Sequence, residues 1–126
     1  TKDVEFKDVT NDKWYYESVM YMAENGYING YPDGTFKPDA NISRAEICTI
    51  LSNIYGDLTA TTEASFSDVQ ENQWFYDAVM NLANAGYVNG MGDGIFAPDS
   101  LATRAQAAKF IYVAVNDGKI LLIEVE

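Results

Sequence analysis

The sequence contains no histidine and a single cysteine, Cys48. Without histidine there is no histidine-based catalytic triad and no zinc site built on imidazole. One cysteine forms neither an internal disulfide nor a thiolate metal cluster. Cys48 stands beside Ile47 and Ile50 on the apolar face of a predicted helix, so we interpret it as a small buried hydrophobic residue rather than a reactive thiol.

Basic residues are also scarce, since 8 Lys and Arg stand against 19 Asp and Glu, which gives a net charge of −11. Nucleic acids and anionic membrane surfaces are bound through basic patches, so neither is an expected partner. No apolar run approaches the roughly 18 residues of a membrane-spanning helix. The chain begins Thr1-Lys2-Asp3 without a charged-then-apolar leader, so we expect that any export signal has been removed or left out.

What the sequence does contain is a repeat with a period of 60 residues. Residues 6–55 align without a gap on residues 66–115, and 19 of these 50 positions are identical. A unit of this size buries too little surface to be secure alone, so we expect the two copies to share a core. We divide the chain into repeat 1 (residues 1–60), repeat 2 (residues 61–118) and a C-terminal tail (residues 119–126).

Each repeat predicts a helix, a long turn and a second helix. In repeat 1, Val19 and Met22 recur at helical spacing, and Gly26 stands where a helix ends in a left-handed residue. Two glycines and two prolines make residues 29–39 too broken for a regular element. Four helices joined by turns predict an all-α bundle of tandem helix-turn-helix repeats.

Trp14 and Trp74 occupy the same position of the two repeats. We expect them to be equivalent buried core residues related by a pseudo-rotation. The alternative is that they stack on sugar rings together with Tyr27 and Tyr87.

The second helix of each repeat opens with Ser-Arg-Ala-Glu or Thr-Arg-Ala-Gln, the pattern of a capping box. This explains the hydroxyls and the residues three positions later, but it leaves Arg44 and Arg104 unexplained, because a cation is unfavourable in the first turn of a helix. One hypothesis is that the arginine and the unpaired amides of the helix start bind an anion. The other is that each arginine pairs with a turn aspartate such as Asp39 or Asp99.

The repeated acids favour structural roles over chemistry. Asp8, Asp33, Asp68 and Asp93 precede turns or glycines and are interpreted as turn formers. An EF-hand calcium loop around Gly34 fails because its twelfth position is Ala40 instead of glutamate. A carboxylate pair could in principle hydrolyse a glycoside, but each repeated acid already has a turn or capping interpretation. We therefore expect no catalytic residue, no metal and no cofactor.

Read in order, the repeated motifs resemble the S-layer homology (SLH) domain. They are Phe-x-Asp-Val, Trp with an aromatic neighbour, Gly-Tyr-x-Asn-Gly, Tyr-Pro-Asp-Gly-Thr-Phe-x-Pro-Asp and Ser-Arg-Ala-Glu. The resemblance implies a pseudo-symmetric helical bundle with long loops, usually built from three repeats. It also implies a non-enzymatic module outside the cell that anchors exported proteins to the bacterial wall by binding pyruvylated secondary cell-wall polysaccharide.

The resemblance implies that ligands lie in grooves between repeats, with Arg44 and Arg104 as the principal binding residues. The expected site also includes the neighbouring motif residues Ser43, Glu46, Thr103, Tyr31 and Asp33. Repeat 2 departs from repeat 1 by carrying Met91, Gly92, Ala97 and Gln106 in place of Tyr31, Pro32, Lys37 and Glu46. We expect Tyr31, Pro32 and Lys37 to stand beside Arg44, so Arg44 should contribute more to binding than Arg104. We also expect the fold to survive the loss of either arginine.

Two alternatives stay open. The chain could be a protein-interaction or structural module that keeps the SLH scaffold without a sugar site. Two repeats would also leave exposed an apolar face that a third repeat covers, so we expect self-association, a third repeat from elsewhere, or cover by residues 120–125.

Overall fold

The computed structural model describes residues 4–117, which form four helices and a two-stranded sheet. The elements, in chain order, are α1 (Tyr16–Glu24), β1 (Asn41–Ser43), α2 (Arg44–Tyr55), α3 (Tyr76–Asn84), β2 (Leu101–Thr103) and α4 (Arg104–Asp117). The predicted helix, turn and helix in each repeat are confirmed. The predicted tail, residues 119–126, lies outside the described residues.

The small sheet corrects the all-α prediction. β1 pairs antiparallel with β2, so that Ile42 lies opposite Ala102. Each strand is three residues long and buries only its central side chain, which is too short to produce an alternating pattern in the sequence. Because each strand runs directly into the second helix of its repeat, the sheet holds the starts of α2 and α4 side by side.

The helices pack across the repeats. α1 packs against α4, and α2 packs against α3, so the first helix of each repeat lies on the second helix of the other. Two aromatic contacts join the repeats. Tyr21 of α1 and Tyr112 of α4 lie 5.1 Å apart between ring centroids, and Tyr55 of α2 lies 5.0 Å from Tyr87, which follows α3. The two repeats therefore share a core, as their small size predicted, and each repeat contributes a helix to both helix pairs.

The prediction that Trp14 and Trp74 are buried is wrong, since their side chains are 62% and 68% exposed. Their environments are nevertheless equivalent. Each indole stands edge-on to the next aromatic residue, Tyr15 or Phe75, at 5.1 and 5.2 Å between ring centroids. Tyr15 and Phe75 are themselves buried. Of two adjacent aromatic residues, the second occupies the core and the first is left on the surface.

Two local predictions are confirmed. Gly26 and Gly86 end α1 and α3 with φ of 76° and 81°, in the left-handed region that favours glycine. Cys48 is fully buried, and burial raises the pKa of its thiol to about 12. A thiol that is not ionised and not accessible has no nucleophilic role.

Candidate functional site

Both predicted capping boxes form. The Ser43 hydroxyl accepts a hydrogen bond from the Glu46 amide at 3.1 Å, and the Glu46 carboxylate accepts one from the Ser43 amide at 2.8 Å. Thr103 and Gln106 make the same two bonds at 3.1 and 2.8 Å. The cap residues are therefore engaged in holding the helix starts.

The backbone amides at the two helix starts already donate hydrogen bonds to carbonyls. This corrects the hypothesis that these amides are available to an anion. The amides of Arg44 and Ala45 donate to the carbonyls of Ser100 and Pro98, at 2.9 and 3.0 Å. In the other repeat, the amides of Arg104 and Ala105 donate to the carbonyls of Ala40 and Pro38, at 2.8 and 2.9 Å. Each helix start is thus bonded to the loop of the opposite repeat.

The arginine side chains also bond to the loop of the opposite repeat. Arg44 Nε donates to the Phe96 carbonyl at 3.0 Å, and Nη2 donates to the Asn89 carbonyl at 2.9 Å. Its guanidinium carbon lies 4.3 Å from the centre of the Phe96 ring. The side chain is 1% exposed, and burial lowers the pKa of the guanidinium. We call this group, with the positions of Met91 and Ala97 in the same loop, the Arg44 cleft.

Arg104 makes the equivalent bonds, but its side chain is more exposed than that of Arg44. Its Nε donates to the Phe36 carbonyl at 2.9 Å, and Nη2 donates to the Asn29 carbonyl at 2.5 Å. The guanidinium carbon lies 4.4 Å from the Phe36 ring centre and 5.0 Å from that of Tyr31. The hydrogen bonds within residues 4–117 use two of its five N–H donors. The side chain is only partly buried, so water reaches part of it.

A lysine completes this second group. Lys37 Nζ lies 4.2 Å from the Tyr31 ring centre, so Tyr31, itself 37% exposed, contacts both Lys37 and Arg104. We call Arg104, Tyr31 and Lys37, with the Phe36 ring beneath them, the Arg104 cleft. The expectation that Tyr31 and Lys37 stand beside Arg44 is therefore corrected, because the crossing of the repeats gives these neighbours to Arg104.

The loops that carry both clefts are fixed by two aspartates whose role the sequence did not reveal. The Asp8 carboxylate accepts the amides of Phe36 and Lys37 at 2.8 and 2.9 Å. Asp68 accepts the amides of Phe96 and Ala97 at 2.9 and 2.8 Å. These bonds span 28 and 29 residues, so the turn-former interpretation of Asp8 and Asp68 is wrong. The repeated Phe-x-Asp-Val motif was the only signal that could have found them.

These aspartates hold strained backbone in place. Lys37 and Ala97 have φ of 59° and 61°, in the left-handed region that is uncommon for residues other than glycine. A carboxylate that accepts two consecutive amides favours this conformation. In the Arg104 cleft, the strained residue is the lysine that lies over Tyr31.

One glycine in each loop is packed closely against an aromatic ring and a backbone carbonyl. A Cβ added at Gly30 would lie 2.2 Å from the Phe6 ring and 2.9 Å from the Thr35 carbonyl oxygen, so only glycine fits. Gly90 is equally confined by Phe66 and the Ile95 carbonyl. The carbonyls that accept the Nη2 groups of the two arginines belong to Asn29 and Asn89, directly before these glycines.

Asp33 is a turn former, as predicted. Its carboxylate accepts the Thr35 hydroxyl at 2.6 Å and the Thr35 amide at 3.1 Å. These two hydrogen bonds are the main reason that the pKa of Asp33 is lowered, with smaller contributions from Lys37 and Lys7. Asp33 thus lies in the loop that carries Tyr31, where it shapes the turn.

The predicted site residues therefore divide between the clefts. Tyr31 and Arg104 come together, with Asp33 in the same loop and Thr103 capping the helix that carries Arg104. Arg44, Ser43 and Glu46 belong to the opposite helix start. Within residues 4–117, no group of three or more metal-binding side chains is found, and no helix there is both long and apolar enough to cross a membrane.

Comparison with known sequences places these features in a family. The family model described as the S-layer homology domain matches residues 5–48 and 65–108, which together are more than half of the chain. The matched ranges contain Asp8, Tyr31, Lys37 and Arg44 in repeat 1, and Asp68 and Arg104 in repeat 2.

Several curated proteins are similar over most of the chain. The Surface-layer 125 kDa protein of Lysinibacillus sphaericus is 37% identical over 95 residues, which is 75% of this chain and 8% of that protein. Exoglucanase XynX of Acetivibrio thermocellus is 36% identical over 115 residues, covering 86% of this chain and 10% of the enzyme. S-layer protein sap of Bacillus anthracis is 31% identical over 110 residues, covering 86% of this chain and 13% of that protein. The chain thus spans about a tenth of the length of these relatives.

Proposed function

Because this chain belongs to the S-layer homology domain family, we propose that it anchors an exported protein to the bacterial cell wall by binding an acidic wall polysaccharide without forming a covalent bond. Its relatives include surface-layer proteins, a cell surface glycoprotein and two large enzymes. Proteins of such different kinds share a stretch that corresponds to this chain. A common attachment function explains that distribution better than a common catalytic one.

The enzymes among the relatives do not make this chain an enzyme. It corresponds to 10% of the exoglucanase and 6% of the amylopullulanase. The repeated acids of this chain are engaged in loops and turns, as the bonds of Asp8, Asp33 and Asp68 illustrate. The proposed module therefore supplies attachment, and its cargo lies in whatever sequence accompanies it.

The observation that carries the proposal is the pair of cations on Tyr31. Lys37 and Arg104 lie 4.2 and 5.0 Å from its ring centre, in a protein whose net charge is −11. An acidic polymer approaching such a protein meets general repulsion, so binding requires a local positive field. An arginine with N–H donors that residues 4–117 leave unused, beside a lysine, provides that field and can form charge-assisted bonds to a carboxylate.

We assign the binding role to the Arg104 cleft and a structural role to the Arg44 cleft. Arg44 is buried against Phe96 and two backbone carbonyls. A ligand that reached it would have to displace those contacts. Met91 and Ala97, at the positions of Tyr31 and Lys37, also add no charge or hydrogen-bonding side chain to that cleft.

One observation favours the second candidate, a protein-interaction module without a sugar site. Both arginines donate to loop carbonyls of the opposite repeat. These hydrogen bonds are a sufficient structural role for both arginines. In that case the polysaccharide would not bind, and the target would be another surface protein.

The experiment that separates the candidates is calorimetric titration with purified pyruvylated wall polysaccharide and with the same polymer after removal of its pyruvyl groups. The double variant Tyr31→Met, Lys37→Ala gives the Arg104 cleft the side chains of repeat 2. We expect it to fold as the parent does and to lose at least about tenfold in affinity for the pyruvylated polymer, which corresponds to about 1.4 kcal/mol. Met91→Ala is the matched control and should bind normally. Equal binding by parent and double variant would refute the proposed cleft, and no binding by the parent would favour the protein-interaction module.

A further inference from the structure

Lys7 lies over the loop that carries the Arg104 cleft. Its backbone amide donates to the Gly34 carbonyl at 3.0 Å, which fixes residue 7 beside that loop. The side chain folds across Gly34, because a Cβ added at that glycine would lie 3.1 Å from Lys7 Cε and 3.7 Å from Nζ. Lys7 is exposed, so its ammonium group can be reached from solvent. Neither the cross-repeat bonds nor the Arg104 cleft uses this group.

Two adjacent surface depressions connect Lys7 with Tyr31. Lys7 lines one of them, and Tyr31 lines the other. Four residues line both depressions: Val4, Glu5, Phe6 and Gly34. The Gly34 amide donates to the Tyr31 carbonyl at 3.0 Å, and the end residues of such a turn have Cα atoms within about 7 Å of each other. We call the two depressions together the Lys7 groove. A polymer that occupies the Arg104 cleft can therefore continue along the surface to Lys7.

Three of the 8 basic residues of the chain contact this loop: Lys7, Lys37 and Arg104. Within residues 4–117, no carboxylate forms an ion pair with any of the three. The pKa of Asp33 is lowered chiefly by its bonds to Thr35, and Lys37 and Lys7 both add to this effect, so the fields of the two lysines overlap in the loop. Cations without a carboxylate partner in a protein of net charge −11 favour an anion supplied from outside.

We propose that Lys7 binds a second acidic group of the polysaccharide whose first acidic group occupies the Arg104 cleft. The Lys7 groove holds the stretch of polymer between these two groups. The inference rests on the proposed function and deepens it, because recognition then depends on two acids along one polymer chain.

Glu5 makes the charge of Lys7 necessary. Its carboxylate belongs to a residue that lines both depressions, where it opposes a negatively charged ligand. Lys7 supplies the positive charge that offsets it. The two residues should therefore have opposite effects on binding of an acidic polymer.

Repeat 2 lacks this arrangement. Ser67 occupies the position of Lys7, and its hydroxyl donates to the Gly94 carbonyl of its own loop at 3.4 Å. Glu71 occupies the position of Asn11, which lines the Lys7 groove. These two positions carry a charge of +1 in repeat 1 and −1 in repeat 2. An acidic polymer should therefore extend along the loop of repeat 1 and not along that of repeat 2.

The test compares two exposed lysines of repeat 1. Lys7→Ser and Lys13→Gln each introduce the residue of repeat 2 and each remove one positive charge, but Lys13 is not among the described residues that line the groove. At about 0.15 M salt, which screens distant charges, Lys7→Ser should bind the pyruvylated polysaccharide about two- to fivefold more weakly, the range for one exposed charge contact. Lys13→Gln should bind as the parent does. Unchanged affinity in Lys7→Ser, or equal losses in the two variants, would overturn the proposal.

A fragment of the polysaccharide that carries a single pyruvyl group separates this inference from the proposed function. The fragment fills the Arg104 cleft alone, so Lys7→Ser should bind it as tightly as the parent does. The double variant Tyr31→Met, Lys37→Ala should lose affinity for both fragment and polymer. Equal losses of fragment and polymer binding in Lys7→Ser would contradict a second acid contact. Polymer binding that is weakened by Lys7→Ser but not by the double variant would overturn the Arg104 cleft and still support Lys7.

A charge swap tests position at constant net charge. Lys7→Ser combined with Ser67→Lys keeps the net charge at −11 and moves one positive charge to repeat 2. It should bind the polymer as weakly as Lys7→Ser alone, whereas Glu5→Ser, which introduces the residue of repeat 2, should bind more tightly than the parent. Circular dichroism confirms that each variant is folded. Restored affinity in the swap variant, or weaker binding by Glu5→Ser, would show that the polymer does not follow the Lys7 groove.

Discussion

The two repeats have the same backbone architecture but different clefts. Asp8 and Asp68 fix their loops with equivalent bonds, and Arg44 and Arg104 reach equivalent carbonyls. The side chains around these bonds differ, because Tyr31 and Lys37 face Arg104 while repeat 2 has Met91 and Ala97 in those positions. Bonds that hold the backbone are shared by both copies, whereas the side chains at the positions of Tyr31 and Lys37 differ.

The largest predicted difference is in stability. Arg44→Ala removes the partner of the buried Phe96 carbonyl and of the part-buried Asn89 carbonyl, and it leaves a cavity against Phe96. We therefore expect the free energy of unfolding to fall by about 3–5 kcal/mol. Arg104→Ala should lower it by only about 1–2 kcal/mol, because the Arg104 side chain is only partly buried and its bond to the Asn29 carbonyl is exposed. Urea denaturation of both variants measures the difference.

This prediction revises the sequence-based expectation that the fold survives the loss of either arginine. The reason is the burial of Arg44, which lies 1% exposed inside the opposite repeat. Equal destabilisation by the two substitutions would show that the clefts are structurally equivalent.

The next prediction concerns the loop aspartates. Asp8→Ala and Asp68→Ala each remove a carboxylate that accepts two amides, and each should lower the free energy of unfolding by about 2–3 kcal/mol. Only Asp8→Ala should also weaken polysaccharide binding, since it releases the strained backbone that places Lys37 over Tyr31. Calorimetry under conditions where both variants are folded separates the two effects. A binding loss in Asp68→Ala as large as that in Asp8→Ala would contradict the assignment.

The core offers a smaller test of the same comparison. Cys48 corresponds to Ala108, and both are fully buried. Cys48→Ala should lower the free energy of unfolding by about 1 kcal/mol, because it removes one buried sulfur atom. It should leave binding unchanged, as thermal unfolding and calorimetry would show. In the parent, the raised pKa and burial of the thiol should prevent labelling by thiol reagents at pH 8 until the protein unfolds. Rapid labelling of the native protein would contradict the buried position.

The smallest predicted effect is on the titration of Asp33. Repeat 2 has Ile95 at the position of Thr35, so Thr35→Ile removes the hydroxyl that chiefly lowers the pKa of Asp33. The pKa of Asp33 should rise toward its usual value. Because the folded-state pKa is lowered, the stabilisation from this turn is present above the pKa of the unfolded chain, and it is lost as the pH falls through the folded value. Carbon-13 NMR titration of the Asp33 carboxyl group tests this, and an unchanged pKa in Thr35→Ile would show that the hydroxyl is not its cause.

The local structure could be predicted from the sequence because its causes are local. The capping boxes at Ser43 and Thr103 depend on residues three positions apart, and Gly26 ends a helix through its own backbone. Helical spacing of Val19 and Met22 likewise identified the core face of α1, which the structure buries. These predictions needed no knowledge of how the repeats pack.

The composition of the clefts could not be predicted, because it depends on which repeat lies against which. Tyr31 stands 13 positions before Arg44 in the sequence and yet contacts Arg104, 73 positions after it. Proximity along the chain favoured the wrong arginine. The exposure of Trp14 was missed for a related reason, since the pattern gave no means to tell which of two adjacent aromatic residues faces the core.

We infer that the Arg104 cleft binds the acidic polysaccharide and that the Arg44 cleft supports the fold. The most direct test is calorimetric titration of Arg104→Lys and Arg44→Lys with the pyruvylated polymer, with circular dichroism to confirm that each variant is folded. Lysine keeps the charge but lacks the planar fork, so Arg104→Lys should bind about tenfold more weakly than the parent. Arg44→Lys should be less stable but bind with the parent's affinity. A folded Arg44→Lys that loses binding, alongside an Arg104→Lys that retains it, would contradict the account.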